Sequence, residues 1–135
     1  MEAVGEQRAH PGLRLQCEKD VLTAVASGVL SIHGMRDIRR VIANESRAGQ
    51  AVVVDMRGVI WLIDGRAMAK FGAEAATGAH KVELPVAMLV SPMHRTAAAR
   101  YCATVAESGL IRASFTDAPS AYSWARRRAM AARRG

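Results

Sequence analysis

Two short stretches constrain the fold of this chain more than any other feature. Ala51-Val52-Val53-Val54 and Pro85-Val86-Ala87-Met88-Leu89-Val90 are uninterrupted apolar runs, the first almost entirely β-branched. A strand with one solvated face alternates apolar and polar residues, so unbroken runs predict strands covered on both faces, as in the centre of a parallel sheet. Parallel neighbours need crossover connections, and the segments around the runs supply helices of the right length. From Ile32 the apolar period becomes helical, with Met35, Ile38, Val41 and Ile42 on one face and Arg36, Arg39, Arg40 and Glu45 on the others, up to Gly49. The spacing also predicts a helix over 66–76, with Met68, Phe71 and Ala75 inward and Asp64 as its cap. An alanine-rich helix opens at Ser91-Pro92 and runs to about Ser108, closed by Gly109.

The remaining segments complete the alternation. Leu13, Leu15 and Cys17 alternate with Arg14 and Gln16, and Val21 to Ser27 follows the turn-forming Glu18-Lys19-Asp20, which together predict a hairpin. Asp55-Met56-Arg57-Gly58 reads as the exit from the Val52 strand, and a second apolar stretch, Val59 to Ile63, follows it. Ile111 to Phe115 gives a last short strand. Thr116-Asp117-Ala118-Pro119 then starts a terminal helix whose Ala121, Trp124 and Ala125 can face the core while its arginines point outward. The order is ββαβαβαβα, so the expected class is α/β: an N-terminal hairpin, then alternating β-α units, in a mixed, mostly parallel sheet with packed helices. The 135 residues suit one domain, read as a disordered lead over 1–12, a single α/β domain over 13–128 and a basic tail over 129–135.

Composition narrows the function classes. The net charge of +7 suggests a polyanionic partner, but Arg126, Arg127, Arg128, Arg133 and Arg134 supply most of it; without them 14 basic residues face 12 acidic ones. No apolar run approaches the ~20 residues of a membrane span, and the N-terminus lacks a signal-peptide layout, so the expectation is a cytoplasmic protein. Cys17 and Cys102 have no metal-ligand or disulfide spacing and read as reduced, buried thiols, while Met68, Met88, Met93 and Met130 read as gap-fillers in the core. His10, His33, His80 and His94 form no HExxH, and the sequence contains no GxSxG, GxxxxGK[ST] or GxGxxG. The expectation is a protein that is not an enzyme and carries no metal or cofactor.

Two stretches resemble the STAS domain of bacterial anti-sigma-factor antagonists, in its SpoIIAA-like (STAS/SEC14-like) branch. Val52-Val53-Val54-Asp55-Met56-Arg57-Gly58-Val59 with Ile63-Asp64 is similar to that family's buried strand ending in Asp, short Gly-Val turn and second Asp opening a helix. Ala113 to Trp124 is similar to its ending of Phe, short acidic turn, Ala, two residues and Trp. The resemblance implies a regulatory module that binds a protein partner, and its SEC14-like side implies, alternatively, a small apolar or lipid ligand. In the antagonists a Ser or Thr after the second Asp accepts phosphate. Here Gly65 and Arg66 follow Asp64, so no switch by phosphorylation is expected at this position.

Two strand-to-helix junctions hold the candidate site residues. Arg57, Trp61, Asp64 and Arg66 would line the junction that faces partners in the resembled family. An exposed Trp61 would be an interaction hot spot and a buried one a core residue, and the sequence leaves both open. Ser91, His94 and Arg95 lie where backbone N–H groups and a helix dipole favour an anion, although Ser91 as a plain cap with His94 and Arg95 solvated is the simpler assignment. Binding of nucleic acid through the arginines of the terminal helix is a weaker alternative, since no aromatic residues interleave with them. Two copies could also pair through an exposed sheet edge or the hairpin.

Overall fold

The alternating Leu13, Leu15 and Cys17 segment becomes the first strand of a five-stranded sheet in the computed structural model, which describes residues 12–75, 77 and 81–134. The strands are β1 (Gly12–Glu18), β2 (Val21–Leu30), β3 (Ala51–Trp61), β4 (Val86–Leu89) and β5 (Arg112–Phe115), and the helices are α1 (Ile32–Glu45), α2 (Gly65–Glu74), α3 (Arg95–Ala106) and α4 (Ala118–Arg134). The expected lead over 1–12 falls, apart from Gly12, outside the described residues, as do His10 and His80.

Strand order in the sheet follows chain order, β1-β2-β3-β4-β5. β1 runs antiparallel to β2, and every later pairing is parallel. The expected class, a hairpin followed by β-α units in a mostly parallel sheet, is the architecture found. A sheet that grows in one direction through crossovers of one hand places successive helices on the same face. Accordingly α1, α2 and α3 contribute Met35, Ile38, Ile42, Met68, Phe71, Ala98, Tyr101 and Val105 to one core with Val52, Val54, Met56 and Met88. α4, which follows β5, covers the opposite face, where Ala121, Ala125 and Ala129 meet Val53, Ala87 and Leu89. The unbroken valine run is therefore buried from both sides, as its composition predicts.

Local signals explain most boundaries. Ser31 caps α1 by accepting from the Gly34 N–H at 3.2 Å, and Asp117 accepts from the Ser120 N–H at 2.8 Å in the first turn of α4. Gly49 and Gly109, the expected stops, have φ of +90° and +88°, a conformation open to glycine at little cost. Pro92-Met93-His94 forms a single 3-10 turn before α3 begins at Arg95.

Several expectations need correction. The Asp55 to Gly58 segment is not an exit turn: β3 continues through it to Trp61, because β2 also continues to Leu30 and offers a partner over the whole length. Cys17 is exposed at the sheet edge, with its sulfur 3.3 Å from the Gln50 amide, and only Cys102 is buried. Met68 and Met88 fill the core as expected, whereas Met93 and Met130 are exposed. α4 continues past residue 128, and Ala129 is fully buried.

The α4 face leaves no room for larger side chains. Ala121, Ala125 and Ala129 are spaced by four residues and each has 0% exposure, so the helix backbone lies close against the sheet. Ala125→Leu is expected to lower stability by about 1–3 kcal/mol through overpacking, read as a reduced urea midpoint at unchanged slope.

Candidate functional site

The geometry of the site begins with one extra residue in β3. Between Val25 and Ser27 the β2 strand advances by two positions, while β3 advances by three, from Asp55 to Gly58. This is a β-bulge, and it inverts which side chains face which layer. Before it, Val52, Val54 and Met56 face the α1–α2–α3 layer and Val53 faces α4. After it, Val59 joins the α1–α2–α3 core and Trp61 packs against it, so Ile60 turns to the other side, beyond the reach of α4.

Trp61 is half-buried, which answers the alternative left open by the sequence with an intermediate position. One side of the indole rests on the core, and its ring stacks on His94 at 4.6 Å with an interplanar angle of 6°. Its Nε1 is buried and has no hydrogen-bond partner among the described residues. The stack joins the two candidate junctions, since Trp61 ends β3 and His94 ends the turn after β4.

The other candidate residues fall into separate groups. Asp64 and Arg66 are exposed beside Trp61 at the start of α2, where Asp64 caps the helix by accepting from the Ala67 N–H at 2.8 Å. Arg95 is exposed at the start of α3, and Ser91 caps the 3-10 turn with no side-chain hydrogen bond. Arg57 stands apart in the bulge. Its Nε and Nη2 donate to the two carboxylate oxygens of Asp55 at 3.0 and 2.9 Å, and its N–H donates to Asp55 Oδ1 at 3.1 Å. Burial pushes the Asp55 carboxyl up, but these hydrogen bonds and the charge of Arg57 hold it below its ordinary value of 3.8.

Four exposed apolar residues lie at this end of the sheet, and of these the sequence had singled out Met93 alone, as a core gap-filler. Ile60 and Leu62 are 62% and 68% exposed, Val29 opposite Ile60 is 49% exposed, and Met93 next to His94 is 83% exposed. The signal was present in Val59 to Ile63, because a five-residue apolar run in a strand exposes alternate members wherever only one face is covered. Large apolar residues grouped at one end of a sheet are less common on a monomer's surface than scattered ones.

Two concavities lie away from this surface. A cavity of about 50 Å³ sits between the sheet and the α1–α2–α3 layer, and an open cleft of about 450 Å³ lies between the Glu18-Lys19-Asp20 turn and Tyr122, Arg126 and Met130 of α4. No group of three or more His, Cys, Asp or Glu side chains that could hold a metal occurs among the described residues. No helix among them is long and apolar enough to cross a membrane.

No protein-family model matches the chain, and no curated protein matches it. The chain is similar to a solved structure of an uncharacterised protein of the DUF3478 family with a SpoIIAA-like fold from Shewanella loihica. The TM-score is 0.48 at 17% sequence identity, over 84% of this chain and 92% of that one. The fold class, α/β with a mostly parallel sheet, rests on this chain's own strand order and helix layers.

Two expected outcomes test the local chemistry. A Cβ at Gly65 would meet no atom within 4 Å, so Gly65→Ala is expected to raise stability by about 0.5–1 kcal/mol, while Asp64→Ala lowers it by about 1 kcal/mol; thermal melts should shift in opposite directions for these neighbours. Asp55, with its depressed folded value, contributes stability that is present above 3.8 and lost as pH falls through the folded value. Arg57→Gln should therefore destabilise the protein in urea titrations at neutral pH, and the gap to wild type should close below pH 3.8.

Proposed function

We propose that this STAS-like domain is a non-catalytic regulatory module that binds a protein partner through the end of the sheet around Trp61 and His94. The observation that supports this most directly is the exposure of large apolar residues at the end of the sheet where Trp61 stacks on His94: Met93 next to His94, Val29 and Ile60 on the opposite face of the sheet, and Leu62 just past β3. Interface centres combine such apolar area with anchored aromatic residues and arginines, and Arg66 and Arg95 stand at the rim without an ion pair among the described residues. Because Gly65 and Arg66 follow Asp64, this binding is not governed by a phosphate at that position.

The absence of catalysis is supported by the state of the buried thiol. Burial pushes Cys102 up to about 11, far from the thiolate a nucleophile needs at neutral pH. A lipid ligand finds little support in a cavity of about 50 Å³, against the ~300 Å³ or more typical of sites for larger organic ligands. Nucleic-acid binding by the end of α4 is also less well supported: Trp124 packs on Phe115 with Arg128 over its ring, and Arg127 donates to Ser123 at 2.7 Å.

The experiment compares affinity capture from extracts of the source cell by wild type and by the double variant Ile60→Asp, Leu62→Asp. Both positions are exposed, so each substitution should change stability by no more than about 0.5 kcal/mol. A protein retained by wild type and lost by the variant, then bound by purified wild type in a direct titration, is the expected result. An identical set of captured proteins would overturn the proposal, as would loss of a homodimer alone by light scattering.

A further inference from the structure

An open five-stranded sheet has two edges, here β1 and β5. An edge strand leaves every second N–H and C=O without a strand partner, and proteins blunt such edges with short strands, proline, bulges or lysine. β5 is short, with four residues. β1 has seven, all paired with β2 from Gly12↔Ser27 to Glu18↔Val21 without a register shift, and it contains neither proline nor lysine. A regular edge of this length is a template for another strand.

Alternation divides the side chains of β1 into two rows. Leu13 and Leu15 pack against the α1–α2–α3 core and stay half-buried, and Cys17, in the same row, is exposed. The opposite row holds Arg14, Gln16 and Glu18, all exposed. Neither Arg14 nor Glu18 has an ion pair among the described residues. They stand two positions to either side of Gln16, an arrangement that becomes its own complement when the strand is reversed.

We infer that two copies of this chain pair through β1, antiparallel and about a two-fold axis at Gln16, to join their five-stranded sheets into one. In this register Arg14 of each copy lies opposite Glu18 of the other, and Leu15 lies opposite Cys17. Opposite charges therefore meet on one face, and the leucine row continues across the seam on the other. Shifting one strand by two residues in either direction sets Gln16 opposite Arg14 or Glu18 and joins neither charge to its opposite within β1. Parallel pairing in register would set Arg14 against Arg14 and Glu18 against Glu18, which is repulsive. The Trp61 end of β3 is separated from this edge by β2 and stays open in both copies, so the pairing is independent of the binding proposed there.

Light scattering and sedimentation of the full-length protein over a range of concentrations should show a reversible dimer. Arg14→Glu should raise its dissociation constant by about tenfold, since two attractive pairs become repulsive, and the exchange Arg14→Glu with Glu18→Arg should restore it. Both positions are exposed, so the melting temperature of the monomer should hold. In a Cys17→Ser background, Gln16→Cys should form an intermolecular disulfide under mild oxidation, because the two-fold axis sets this position against itself, and Arg14→Cys should not. The double variant Ile60→Asp, Leu62→Asp should leave the dimer intact, which separates failure of this pairing from failure of the partner-binding reading. A chain that stays monomeric up to about 1 mM would overturn the inference, whether β1 then stays bare or takes up a strand of another protein. So would a dimer indifferent to Arg14→Glu, one that the exchange does not restore, or cross-linking through Arg14→Cys equal to that through Gln16→Cys.

Discussion

The bulge in β3 is the constraint on which the functional surface depends. A single added residue between Asp55 and Gly58 exchanges the inward and outward sets of side chains for the remainder of the strand. Without it, Trp61 would point toward the α4 side and Ile60 into the core. With it, the indole is braced by the α1–α2–α3 layer and stacked on His94, and the aliphatic Ile60 is left in solvent next to Val29. Arg57 and Asp55 hold the distorted segment through a bidentate pair and a backbone contact within three residues. A local hydrogen-bonded loop of this kind stabilises the bulge from within.

The two faces of the sheet solve the packing problem differently. On one side the alanines of α4 allow a close approach to Val53, Ala87 and Leu89. On the other side three helices meet the sheet through methionine, phenylalanine and tyrosine, and their irregular shapes leave the cavity beside Arg39 and Arg112. Tightness on the first face follows from small residues at a regular spacing. The imperfect fit of the second is what permits polar groups to sit inside it.

Element order was legible in the sequence because each element carries its own period and end signal: the valine run, the helical spacing of Met35, Ile38 and Ile42, the caps at Asp64 and Asp117, and the glycines at 49 and 109. The continuity of β3 was not legible. Asp, Arg and Gly together have turn composition, and only the matching extension of β2 supplies the ladder that keeps them in a strand. For the same reason the sequence grouped Arg57 with Trp61 and Arg66, although the bulge separates them. Trp61 and His94 lie 33 positions apart in the chain, and no local pattern encodes their stack. Arg39 was placed by helical phase on the outer side of α1, and its burial arises from α2, whose Phe71 and Glu74 close over it.

The identity of strand order with chain order has a consequence for how this fold is reached. Each strand pairs with the strand synthesised immediately before it, so no gap in the sheet waits for a later segment to fill it. Loop closures stay short, and the sheet can lengthen one β-α unit at a time, as the chain leaves the ribosome. The exception is α4, which returns across the whole sheet, and its Tyr122 hydroxyl donates to Thr23 at 3.0 Å, a bond between residues 99 positions apart. Until that helix arrives, Val53, Ala87 and Leu89 lie open on one side. The helix that follows the last strand of the sheet is therefore also the one that closes this face.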